Sequence, residues 1–313
     1  MTRALLIMGP TASGKSALAL ALAARLGGEI LNADSMQVYA GLRVLTARPT
    51  EADAARAPHH LYGHVDPAIR YSTGAWVRAA HIKMAEVADR GAVPILVGGT
   101  GLYFRALTHG LVDIPEPPPK LRAALEADLA AEGPEIQHAH LATLDPQAAG
   151  VIMPRDGQRI LRALAVRLTT GVSIVDWWRG TRPVLAADGW LGVALTPPRA
   201  ALYGAIDARF AAMLADGAVA EAEALAARSL DPGLPAMKAH GLPWLMAHLR
   251  GEMSLADAAG LAARDTRRYA KRQFTWIAHQ TPDWPTIADT ALNARVAHVC
   301  ALWDRLDTRN EAN

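Results

Sequence analysis

The chain has 313 residues, a formal net charge of +2, about half of its residues hydrophobic and a single cysteine, Cys300. That length gives one large or two moderate domains with ample material for a buried core, and one cysteine excludes an internal disulfide and any cysteine-based zinc site. No uncharged apolar run of about eighteen residues appears and the N-terminus enters a strand at once, so neither a membrane span nor a signal peptide fits. A cytoplasmic location is expected.

Arg3 to Met8 is the first apolar run and predicts a strand; Gly9-Pro10-Thr11-Ala12-Ser13-Gly14-Lys15-Ser16 follows it and opens a helix over Lys15 to Leu26. This is a P-loop in its strand-loop-helix context. The glycines let the backbone curl so that successive N–H groups point inward, the helix adds its positive end, Lys15 brings a point charge, and the Ser16 hydroxyl suits Mg²⁺. The loop fits the phosphates of a nucleotide or another di- or triphosphate, and does not say which bond breaks.

Strands are next predicted at Glu29 to Asn32, His60 to Val65 and Val93 to Val97, with a helix at Ala75 to Arg90. Strands alternating with helices imply a parallel sheet. Asp34 lies at the C-terminal end of the second strand, the edge where parallel sheets bind ligands. A carboxylate there serves as a proton acceptor or a water-mediated Mg²⁺ ligand, or else as a helix cap, with Ser35 a rival for that last role. Gly98-Gly99-Thr100-Gly101 repeats the pattern after the fourth strand and suggests close backbone approach to a ligand, with the Thr100 hydroxyl aimed at it, or a plain tight turn.

The proline run Ile114-Pro115-Glu116-Pro117-Pro118-Pro119 breaks the pattern, and Lys120 to about Arg179 reads as purely helical. Trp190 to Leu195 predicts a strand that returns to the sheet, and helices are expected from there to the end. The expected fold is therefore an α/β parallel-sheet core of the P-loop NTPase kind, residues 1–113 and 189–313, with an inserted helical domain at 114–188. Cys300 falls in an apolar helical pattern and is expected to pack.

Basic residues gather in two places. Arg155, Arg159, Arg162 and Arg167 cluster around a helix that begins near Asp156. Arg264, Arg267, Arg268, Lys271 and Arg272 project along one stripe of a second helix. Like charges at such spacing repel, so a polyanion is the expected partner, against a merely solvated face. The eleven histidines show no metal-ligand spacing and read as ordinary polar positions.

Together these segments resemble the bacterial tRNA dimethylallyltransferases, isopentenyl-transfer enzymes that modify the adenosine 3′ of the anticodon. The pieces that carry the resemblance are Gly9 to Ser16, Asp34-Ser35-Met36-Gln37-Val38-Tyr39, Thr46 to Thr50, Pro58 to Leu61, Val97 to Tyr103, Asp156 to Arg159 and Arg268 to Trp276, in family order. The chain departs from the family at Gly41 to Leu45, which lacks the usual Asp-Ile-Gly, and at Gly157, where proline is common. The resemblance implies that the P-loop, from Gly9 through Pro10, Thr11, Ala12, Ser13, Gly14 and Lys15 to Ser16, holds dimethylallyl diphosphate with Mg²⁺ on Ser16. It implies that Asp34 takes the proton of the adenine amine, that Thr11 and Thr100 sit near the reacting centre, and that Arg209 clamps pyrophosphate. It further implies tRNA contacts from Asp34, Ser35, Met36, Gln37, Thr100, Arg122, Gln158, Arg159, Ile160, Leu161, Arg162, Arg264, Arg268, Lys271 and Arg272. The partners are then the tRNA anticodon stem-loop and dimethylallyl diphosphate, with no membrane, no obligate protein partner and a monomeric state. A P-loop small-molecule kinase is the alternative enzyme and leaves the second basic stripe unexplained; an RNA-binding nucleotide switch leaves Asp34 and Thr100 unexplained.

Overall fold

The computed structural model describes the backbone of residues 3–112 and 114–311; residue 113, at the expected edge of the insertion, lies outside the described residues. The first part of the chain alternates strands and helices: β1 (Ala4–Met8), α1 (Lys15–Leu26), β2 (Gly28–Asn32), α2 (Glu51–Ala54), β3 (His59–His60), α3 (Thr73–Asp89), β4 (Val93–Gly98) and α4 (Gly101–Thr108). A run of helices follows, α5 (Pro119–Glu132), α6 (Pro134–Leu144), α7 (Pro146–Ala149), α8 (Gly157–Thr170) and α9 (Ile174–Arg179). The chain then makes β5 (Trp190–Leu195), α10 (Arg199–Ala215), α11 (Ala218–Ala226), α12 (Leu242–Leu249), α13 (Leu255–Gln280), β6 (Thr286–Ile287) and α14 (Leu292–Glu311).

All strand pairs are parallel, in the order β3-β2-β4-β1-β5-β6. β1 and β2 are buried at every position, which is why they read as continuous apolar runs rather than as alternation. The core joins Leu5, Ile7, Ile30, Ile95 and Val193 from the sheet to Leu18 and Leu22 of α1 and to Val299 and Trp303 of α14. Cys300 packs against that cluster as a partly buried free thiol.

Residues 1–108 and 185–313 make one compact unit and 109–184 a second, against the 114–188 expected for the insertion. The Leu185 N–H bonds to the Leu107 carbonyl at 3.0 Å, which brings the two ends of the excursion together within the first unit. The second unit has its own core of Leu125, Leu141, Ile160, Ala163 and Leu164.

Two expected elements differ. The strand expected over His60 to Val65 stops at His60, because Leu61 and Gly63 take left-handed φ values of 64° and 58°; only Val65 rejoins, as a lone bridge to Tyr39. The last part of the chain is not purely helical either. Thr286 and Ile287 pair with Ala194 and Leu195 as β6, too short a strand to leave a periodic signal.

Candidate active site at the carboxyl edge of the sheet

β2, β4 and β1 are neighbours, so the loops that leave their C-terminal ends meet: the P-loop after Met8, the Asp34 loop after Asn32 and the glycine loop after Gly98. The P-loop ends at Gly14, the residue before α1, with φ 83°. Of its amides, Thr11 N–H donates to Gln273 Oε1 at 2.9 Å and Ser13 N–H to the Pro10 carbonyl at 3.2 Å. Among the described residues, the amides of Ala12, Gly14, Lys15 and Ser16 take no protein acceptor, and together they form a cradle for phosphate oxygens. Lys15 Nζ donates to the Pro10 carbonyl at 3.3 Å. Burial pushes its ammonium down to about 8, against the pull of Asp34 upward and with a smaller push down from Arg209.

Asp34 is fixed by its neighbours. Its N–H donates to Asn32 Oδ1 at 2.8 Å, its Oδ1 accepts from Met36 N–H at 2.9 Å, and the buried Asn32 amide donates to the Asp34 and Leu61 carbonyls. A turn follows, not a helix, so the helix-capping alternative falls away. Asp34 Oδ2 has no protein donor among the described residues, and the side chain lines a pocket with Thr11, Met36, Thr46, Arg209, His240 and Tyr269. Arg209 comes from α10. Its Nη1 donates to Thr11 Oγ1 at 3.3 Å and its Nη2 to the Thr46 carbonyl at 3.5 Å, and burial lowers its pKa.

The glycine loop makes close contacts with the protein itself. A Cβ on Gly98 would stand 1.9 Å from the Ala33 carbonyl oxygen, and one on Gly99 2.0 Å from Gln273 Nε2. Thr100 Oγ1 accepts from Ser35 N–H at 2.9 Å and contacts Ser35 Oγ at 3.3 Å. The threonine thus pins the Asp34 loop.

Three contributors to the site escape the sequence reading of individual residues. Gln273 of α13 is buried and, besides accepting from Thr11, donates to the Gly99 carbonyl at 2.9 Å, so one amide ties two loops together. It lies inside Arg268 to Trp276, one of the segments that carry the family resemblance, but nothing local in the sequence points to its two partners. Glu221 of α11 accepts from three successive amides, Arg43 and Val44 at 2.7 Å each and Leu45 at 2.9 Å, and so anchors the segment that departs from the family pattern. Nothing in its sequence sets it apart from an ordinary acid in a first helical turn. His240 is not an ordinary polar position. Its ring lies 4.4 Å from that of Tyr269, and burial lowers its pKa while Asp34 raises it in part. Burial raises the Tyr269 phenol well above the ordinary value, with Asp34 adding to the rise and the Thr100 and Gln273 side chains opposing it.

Arg264, Arg268, Lys271 and Arg272 of the α13 stripe are exposed and Arg267 is half-buried, opposite the buried face of Ala262, Ala270, Gln273 and Ile277, but the stripe is less bare than its sequence suggests. Arg267 is paired with Asp207, and Asp265 lies 3.6 Å from Arg264 and 3.5 Å from Arg268. Arg272 stacks over Tyr269 at 5.4 Å. In the helical unit, Arg122, Gln158, Leu161 and Arg162 line a cavity of about 280 Å³, and burial followed by the charge of Arg122 lowers the pKa of Arg162. Arg159 is exposed beside Asp156, which caps α8 ahead of Gly157. Ile160 is fully buried in the helical core and has no surface to offer, contrary to its expected tRNA contact.

A parallel α/β sheet with a P-loop, a facing carboxylate and a buried arginine defines a P-loop protein. Comparison narrows this class. The family described as IPP transferase matches residues 37–280, and that described as Isopentenyl transferase matches residues 2–59. The chain is 55% identical over 294 residues to the tRNA dimethylallyltransferase of Rhodopseudomonas palustris strain TIE-1, covering 92% of this chain and 98% of the relative. It is 50% identical over 309 residues to that of Hyphomonas neptunium, covering 98% of both. The full-length tRNA isopentenylpyrophosphate transferase of Bacillus halodurans superposes with a TM-score of 0.72 at 31% identity, covering 100% of this chain and 99% of that one. A eukaryotic dimethylallyltransferase acting on tRNA superposes with a TM-score of 0.76 at 27% identity, covering 88% of this chain and 70% of that one. The chain belongs to the IPP transferase family. The kinase alternative gains no support from these comparisons.

Proposed function

We propose that this protein is a tRNA dimethylallyltransferase: it transfers the dimethylallyl group of dimethylallyl diphosphate to the exocyclic N6 amine of the adenosine 3′ of the anticodon in tRNA and releases pyrophosphate. The observation that carries the reading is the convergence on one pocket of the P-loop, Arg209 and an Asp34 carboxylate with one oxygen free.

The N6 lone pair forms a bond to the allylic carbon as the carbon–oxygen bond breaks, and that electron pair leaves on the bridging oxygen of pyrophosphate. Negative charge grows on the leaving group. The amides of Ala12, Gly14, Lys15 and Ser16, the Lys15 ammonium and the Arg209 guanidinium are set to stabilise it. An adenine amine is a weak nucleophile because its lone pair is delocalised into the ring. Asp34 Oδ2 accepts its proton, while the Met36 N–H holds Oδ1 and aims the carboxylate. Thr11 and Thr100 act mainly by holding Arg209 and the Asp34 loop in place.

Mg²⁺ is part of this reading. Among the described residues no three His, Cys, Asp or Glu side chains form a metal cage, and a hard cation held by diphosphate oxygens with few protein donors needs none. The Ser16 hydroxyl would hold it, with Asp34 as a water-mediated candidate, and when bound it neutralises leaving-group charge. The base must leave its stack to reach the pocket. On the core, Arg264, Arg268, Lys271 and Arg272 offer an exposed cationic face to tRNA, and on the helical unit Arg122, Gln158, Arg159, Leu161 and Arg162 offer another. Ser35, Met36 and Gln37 stand beside Asp34 for the incoming nucleotide. No helix among the described residues is long and apolar enough to cross a membrane, and the reading takes the protein to act in the cytoplasm as a monomer. Incubation with unmodified tRNA and dimethylallyl diphosphate, followed by nucleoside mass analysis, should give N6-dimethylallyladenosine. No such product, or phosphoryl transfer from ATP to a small acceptor in its place, would overturn the reading.

A further inference from the structure

We infer that Arg295, on the C-terminal helix α14, is a positioning residue that holds the P-loop in its anion-binding shape. The inference rests on the diphosphate-binding reading of that loop and goes beyond it, since Arg295 lies outside both segments matched to the family, 2–59 and 37–280.

Arg295 is only 5% exposed. Its Nη1 donates to the Ser13 carbonyl at 2.7 Å and its Nε to the Asp289 carbonyl at 2.5 Å. The Ser13–Gly14 peptide is trans, so its C=O and N–H point in opposite directions. Drawing the Ser13 carbonyl back onto the guanidinium therefore turns the Gly14 N–H toward the other side of the loop, among the amides left without a protein acceptor. The fit is close: Gly14 has φ 83°, and a Cβ there would stand 2.7 Å from Arg295 Nη1.

Packing alone does not explain an arginine at this position. Val299 and Trp303 already seat α14 on the core with Leu18 and Leu22 of α1. An apolar side chain at 295 would fill the space without the cost of taking a guanidinium out of water. What the arginine adds is a donor pair of fixed geometry and a positive charge behind the loop. Arg295 touches no substrate in this arrangement, so it acts through the backbone it orients.

The test uses full-length protein, with pyrophosphate as the calorimetric probe and steady-state kinetics alongside. Arg295→Met removes charge and donors but keeps a long stem; Arg295→Lys keeps the charge and can serve one carbonyl. The Met variant should bind pyrophosphate roughly tenfold to a hundredfold more weakly, the range for losing one charge-assisted hydrogen bond. The Lys variant should recover part of that loss, and the tRNA KM should stay near wild type in both. If the Met variant does not fold, the Lys variant must show the weakened binding. A merely structural arginine predicts a lower Tm with pyrophosphate affinity intact while the variant is folded, and that result overturns the inference. Wild-type protein that fails to bind pyrophosphate would instead defeat the diphosphate reading itself.

Discussion

Asp34→Asn separates a catalytic carboxylate from a structural one because the two oxygens of Asp34 do different things. Oδ1 accepts the Met36 N–H at 2.9 Å, a bond that an asparagine oxygen can also accept, so the loop should keep its shape. Stability should change by less than about 1 kcal/mol, the scale of one ordinary hydrogen bond. Oδ2 has no protein partner among the described residues, and its loss removes only the proton acceptor. Loss of a general base slows chemistry by about two to four orders of magnitude. A second, smaller effect follows from the pocket electrostatics. Asp34 holds the Lys15 pKa up against burial, so in the Asn variant that pKa should be lower and pyrophosphate affinity should begin to fall at a lower pH than in wild type. Single-turnover rates with tRNA and donor both saturating isolate the chemical step, and pyrophosphate titration against pH reads the second effect. A near wild-type single-turnover rate at low Mg²⁺ would refute the base assignment, and a rate restored by high Mg²⁺ would move Asp34 to the metal.

For Lys15 itself the sign is fixed by its depressed pKa of about 8. The ammonium is charged below that value and stabilised by bound diphosphate, so pyrophosphate affinity should be flat at lower pH and fall as pH rises above about 8; Lys15→Met should be weak at all pH values and flat across this range. Removing Gln273 as Gln273→Ala strands the Thr11 N–H and Gly99 carbonyl, at about 1–3 kcal/mol for each buried group left unpaired, and should lower Tm and donor affinity together. Charge reversal at Arg268 and Lys271 should raise the tRNA KM and reduce the salt slope by about 0.7–0.9 for each phosphate no longer neutralised, with pyrophosphate affinity unchanged; equal damage to both ligands would return this face to the role of a solvated surface.

The strand-loop-helix of the P-loop, the parallel order of the sheet and the helical nature of the insertion were legible in the chain, because each rests on local periodicity or on glycines a few residues apart. The placement of Asp34 at a carboxyl edge was legible for the same reason: a parallel strand presents its C-terminal end to the site wherever it lies in the sheet. What periodicity cannot convey is partnership across long separations. Gln273 reaches Thr11 across 262 positions, Glu221 reaches Arg43 across 178, and Arg295 reaches Ser13 across 282. Each reads locally as an ordinary polar residue on an amphipathic helix. The same limit made the α13 stripe seem unpaired, since Asp207 belongs to another helix, and hid the room that Gly98 and Gly99 make for Ala33 and Gln273. The phosphate loop and its facing carboxylate were thus written in the chain itself, whereas the side chains that hold both in working shape were decided only by tertiary packing, which alone brings distant polar groups close enough to satisfy one another out of water.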